Sequence, residues 1–183
     1  MQAQDLMVTD LATIRSDESL VEATARMMER KLATGHEDVR CLVVVDESER
    51  PVHVLTEADL IRAILPGVFR DPNFVDYISR WLASDLPQAS LNEMFFDMAR
   101  AARRKTVGDL VLDKPLVSVT PDASIVKIAY LMHQERIKTL PVVENGVLVG
   151  MVFRAAVFDV IAREILRNRE VSGGGSLPPP NAD

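Results

Sequence analysis

The chain has 183 residues, 48% of them hydrophobic, enough for the core of one ordinary domain or of two small fused ones. Its formal net charge of −6 argues against nucleic acid or anionic lipid as a partner, and apolar runs such as "CLVVV" (41–45) are far too short to span a bilayer. Cys41 is the single cysteine, so no intramolecular disulfide forms; with no secretory pattern in "MQAQDLMVTD", a reducing cytoplasmic location is expected.

The chain opens with "DLMVTD" (5–10), and "TIRSDESL" (13–20) then passes from an extended piece into a helix, with Ser or Asp supplying cap oxygens. Leu20, Ala23, Thr24, Met27 and Lys31 follow at helical spacing. "CLVVV" and "PVHVL" (51–55) are β-branched runs around the polar "DESER", the pattern of a hairpin. "HVLTEADL" (53–60) carries a strand into a second helix, with Thr56 and Asp59 at its start.

Residues 66–105 hold most of the aromatics. Phe74, Tyr77, Ile78 and Trp81 share one helical face before Pro87 interrupts, and "SLNEMFFDMARAARRK" begins with a capping-box pattern, Ser90 and Glu93. A helical insertion folded onto the domain or onto a dimer partner is expected; an aromatic surface for another protein, or a lid, is the alternative. Arg100, Arg103, Arg104 and Lys105 close that helix, where cations complement its dipole.

The remainder repeats the beginning. "DLVLD" (109–113) echoes "DLMVTD", and "SVTPDASIVKIAYLMHQE" (118–135) sets Asp122, Ser124, Ile125 and Met132 against Asp17, Ser19, Leu20 and Met27. "TLPVVE" (139–144) and "VLVGMV" (147–152) flank Asn145-Gly146, a strong two-residue turn signal, and a helix over "RAAVFDVIAREIL" ends the unit. Residues 171–183, with "SGGGSLPPPNAD", lack core-forming side chains and are expected to be a disordered tail.

Each unit is thus strand, helix, strand, strand, helix, in a mixed α/β (α+β) chain. "DLM" and "DLV" at the starts, "LPVV" in the middle and an ending of the form G-x-x-[ST]-x-x-[DN] resemble the CBS domain, and the tandem resembles a CBS pair, or Bateman module. The resemblance implies unit one over 1–65, the insertion over 66–105 and unit two over 106–170, packed pseudo-symmetrically through their sheets. It also implies a homodimer and an effector protein that the sequence does not identify.

By spacing alone, Thr56 and Asp59 fit a helix capping box. They equally fit a nucleotide: helix-start amides suit a phosphate and a carboxylate suits a vicinal diol. The CBS resemblance implies the second role, with Asp59 on ribose hydroxyls and Thr56 near phosphate. It implies further contacts from Thr13, Ile14 and Arg15, from Arg40 and Cys41, and from Lys138, Arg136 and His133 across the pair. The second unit has Phe153 and Ala156 at the matching positions, so its cleft is expected to be disabled or altered. The first has His53 where the family motif has Gly, while Gly150 keeps it.

The expected function is therefore a stand-alone regulatory module for an adenosine derivative, an adenine nucleotide or S-adenosylmethionine, with no required cofactor. A ligand-free scaffold working through the aromatic insertion is the alternative. No Gly-rich phosphate loop, Cys/His motif or paired carboxylates suggests an enzyme, and His36 and His53 have no partner at metal-ligand spacing.

Overall fold

The structure is a computed structural model that describes residues 1–34, 40–65, 88–111 and 115–167. The expected aromatic helix around Phe74–Trp81, the loop holding His36 and the 171–183 tail lie outside the described residues.

In the first copy, β1 (Thr13–Arg15), α1 (Leu20–Thr34), β2 (Cys41–Val45), β3 (Pro51–Thr56) and α2 (Glu57–Ile64) follow the expected order. Ser19 Oγ accepts the Glu22 amide at 3.1 Å and so caps α1. The sheet order is β1-β2-β3, with β1 parallel to β2 through the α1 crossover and β2 antiparallel to β3. All five residues of β2 are buried, because both of its faces are covered. Leu42 and Val44 pack with Leu20, Ala23 and Met27 of α1 and Ala63 of α2, while Cys41 and Val43 meet Met151 and Phe153 of the second copy. The two sheets therefore pack on each other through an apolar seam.

After α3 (Gln88–Ala102) comes the second copy, with α4 (Ile125–Gln134), β4 (Thr139–Glu144), β5 (Val147–Phe153) and α5 (Arg154–Leu166). Asn145 at φ 51° and Gly146 at φ 82° form the turn expected of that dipeptide. The equivalent of β1 contracts to one parallel bridge, Val119 with Val142. Pro141 explains the contraction. In the first copy the Val43 amide donates to Ala12 O, but proline at the matching place in β4 has no N–H to give. Ser90 is not an N-cap, since α3 already begins at Gln88.

The segments that open the two copies are exchanged. Ala3 is fully buried in the second copy's core, its amide donates to Ala123 O at 2.8 Å, and Val8 bridges Met151. Reciprocally, Val107 and Leu110 fill the first copy's core, and the amides of Val107 and Gly108 donate to Glu18 O and Ser16 O. The recurrent Asp-Leu has a physical role in this exchange. Asp5 accepts the Gln2 amide and Asp109 the Thr106 amide, each at 2.8 Å, closing a 3-10 turn. Those Thr106 hydrogen bonds hold the exposed Asp109 carboxyl below its usual range.

Candidate functional site

The β3–α2 junction is organised around Asp59, the one buried charged residue among the described residues. Thr56 is extended, and both its amide and its Oγ1 donate to Asp59 Oδ2 at 2.7 Å. The other oxygen, Oδ1, accepts from Arg62, three residues on along α2. The Asp59 carboxylate therefore stitches its own helix start, as the capping pattern suggested. A carboxylate offers about four lone-pair sites, so these three donors leave acceptor capacity at Oδ1.

His53 lies beside this group. Its Nε2 is 4.0 Å from Asp59 Oδ2 and is buried without a hydrogen-bond partner among the described residues. Burial pushes the ring's pKa down, against the opposing pull of Asp59. Arg40, ahead of β2, pairs with Glu57 at 2.8 Å.

The junction opens into a cleft of about 830 Å³, within the size range of small-molecule sites. The cleft is shared. Arg40, His53, Thr56, Asp59 and Arg62 come from the first copy. Arg136 and Lys138, between α4 and β4, and Phe153, Arg154 and Phe158, around the start of α5, come from the second. Pro115, Leu116, Val117 and the acidic Glu135, next to Arg136, also belong to the second copy's share. The α5 start is held in place by its Arg154 amide, which donates to Lys138 O at 2.8 Å.

Six of the residues singled out from the sequence meet here: Thr56, Asp59, Arg40, Cys41, Arg136 and Lys138. Thr13, Ile14, Arg15 and His133 are not among the lining residues. Ile14 is 1% exposed within the first core, Arg15 pairs with Asp17, Thr13 O accepts from Arg26, and His133 is exposed in the last turn of α4. The segment that does line the cleft, 115–117, belongs to the second copy. Cys41 is buried, and that burial raises its thiol pKa to about 11, which keeps it protonated and unreactive.

The sequence alone gives Phe153 no binding role; it admits Arg154 as an anion contact of the second cleft but favours a solvated arginine in the first helical turn, and it does not single out Arg62 or Phe158. The signal for the first two was available: aligning 150–157 with 53–60 puts both helix starts in equivalent places, so both should face one seam. Arg62 was legible as an acidic–basic pair three residues apart on a helix.

Among the described residues there is no group of three or more His, Cys, Asp or Glu able to hold a metal, and no helix long and apolar enough to cross a membrane.

A profile for the CBS domain matches residues 3–66 and 107–163. "Uncharacterized protein MJ1404" of Methanocaldococcus jannaschii is 27% identical over 157 residues, which are 86% of this chain and 31% of that protein, so the chain spans about a third of its length. The CBS domain pair of protein MJ0100, solved with 5′-methylthioadenosine and S-adenosyl-L-methionine, has a TM-score of 0.59 at 17% identity, over 90% of this chain and 98% of that one. The cytosolic domain of the Mg2+ channel MgtE, solved with ATP, has a TM-score of 0.55 at 26% identity, over 87% and 48%.

Proposed function

The chain belongs to the CBS-domain family, and we propose that it is a regulatory, non-enzymatic module that binds an adenosine-containing ligand in the cleft shared by its two copies. One observation carries the proposal: a cleft of about 830 Å³ joins a buried carboxylate and cations of the first copy to cations and two phenylalanines of the second. The similar CBS domain pair of MJ0100 holds S-adenosylmethionine and methylthioadenosine, and the similar cytosolic domain of MgtE holds ATP. In this proposal Asp59 takes ribose hydroxyls through its spare acceptor capacity, and Phe153 and Phe158 offer apolar surface to the base. Thr56, Arg40, Arg136 and Lys138 bind the polar remainder. Units over 1–65 and 106–170 then act as two jaws of one site.

A ligand touching both copies favours whichever arrangement fits it better. Regulation follows if its affinity for two arrangements differs by about 1–3 kcal/mol. An exposed apolar face on α4 and α5, including Val126, Tyr130, Ile161 and Ile165, provides a surface for a homodimer, through which the shift reaches an effector protein.

A thermal-shift series with AMP, ADP, ATP and S-adenosylmethionine tests the proposal. At one hundred times its Kd, a ligand stabilises by about 2.7 kcal/mol, and Asp59→Ala is expected to abolish the increment beyond its own effect on baseline stability. A flat series would instead favour a scaffold role. Exposed Met94, Phe95 and Phe96 on α3 give that alternative its surface, and capture of a partner sensitive to Phe95→Ser would support it.

A further inference from the structure

The second copy has Gly150 at the place of His53, and a Cβ there would strike the Met7 side chain. In the first copy the exchanged opening segment aligns Val111 with Met7, a shorter side chain that packs on the first core and makes room for a ring. Packing does not explain why that ring is an imidazole. Its Nε2 is buried with no hydrogen-bond partner among the described residues, and an unpaired buried polar atom is destabilising. A phenyl ring would fill the same space without that penalty.

The imidazole lies against the carboxylate on which the cleft is built. Nε2 is 4.0 Å from Asp59 Oδ2, about 1 Å beyond hydrogen-bonding distance. Both lone pairs of Oδ2 are already taken by the amide and hydroxyl of Thr56, so a further donor must turn the carboxylate or displace Thr56. Burial is the largest influence on the ring and disfavours its charged form; Asp59 favours that form and Arg62 opposes it. Of the other charged groups at the cleft, Arg40 and Glu57 pair with each other, while Glu135, Arg136, Lys138 and Arg154 belong to the second copy.

We infer that His53 is a proton-operated positioning residue for Asp59: the neutral ring leaves the carboxylate to the ligand, and the protonated ring takes it. The inference rests on the nucleotide function proposed above and adds its regulation by pH. An imidazolium closes the gap of about 1 Å to Oδ2, loosens the Thr56 contacts and offsets the charge that accepts ligand hydroxyls. Proton and ligand therefore compete for one carboxylate. Affinity is full above about pH 6.5, falls as pH drops through the folded pKa of His53, and binding in that lower range releases a proton.

The test is calorimetric titration of the full chain with adenosine and 5′-methylthioadenosine, which keep their charge across the window where histidine titrates, about pH 5 to 8, and with ATP. Between about pH 7.5 and 5.5 the parent is expected to lose about threefold or more in affinity for the two uncharged compounds. His53→Gln, polar but unable to take up a proton, and His53→Gly, the second copy's residue, should lose none. For ATP, the difference between parent and variants removes the titration of the phosphates themselves. An equal loss in parent and variants, or tighter binding by the parent at the lower pH, would overturn the inference while sparing the site. A second readout needs no ligand: Asp59→Asn should lower the pKa of the His53 ring further, as followed by NMR, and an unchanged pKa would overturn the inference. No binding by any of the three compounds at the higher pH would overturn the nucleotide function and the inference with it.

Discussion

Asp59 is buried with donors from Thr56 and Arg62 already on its oxygens, so its contribution to stability can be measured separately from any contribution to binding. Asp59→Ala should cost about 1–2 kcal/mol in urea unfolding, the range for a lost helix cap. His53 offers a pH test at the same junction. Its folded pKa lies below its ordinary value near ~6.5, so the unfolded chain takes up this proton first as pH falls. Stability from this group is full above about pH 6.5 and is lost as pH drops through that value toward the folded pKa. The loss of stability between pH 7.5 and 5.5 should therefore be smaller in His53→Gln than in the parent, as read by urea midpoints. The Thr56–Asp59 cap was legible because a four-residue pattern is local. The nearness of His53 to Asp59 depends on how β3 meets α2, which no local pattern states.

The hairpins, their turns and the four helices of the two copies are also local features, and residue spacing located them. The exchange of the opening segments was not legible, because "DLM" and "DLV" look alike and periodicity does not tell which core a segment enters. The family resemblance alone put 13–15 at the cleft; β1 instead pairs with β2 in its own copy, and 115–117 lines the cleft. Gly150 reports directly on the exchange. A Cβ there would meet the Met7 side chain, with Cβ and Cγ of Met7 at 3.0 and 2.8 Å and Sδ nearer still. Gly150→Ala should destabilise by about 1–3 kcal/mol through overpacking. Adding Met7→Ala should restore part of that loss, giving a non-additive cycle in denaturant unfolding. Strict additivity would mean that the opening segment does not lie against β5.

At the scale of the molecule, each copy's core contains residues of the other, Ala3 in one direction and Val107 and Leu110 in the other. Neither half can complete its core alone, so the pair should unfold in one transition. A fragment ending before Thr106 should show no cooperative melt by circular dichroism. Two separable transitions would indicate independent domains. The cleft has the same dual ownership, and the ligand function depends on it. The most direct test is a titration of ATP into the parent and two variants, one on each wall: Asp59→Ala in the first copy and Lys138→Gln in the second. Expected is one site per chain, weakened by either substitution. Two independent sites per chain, or a single site indifferent to one of the walls, would contradict a cleft built by both copies.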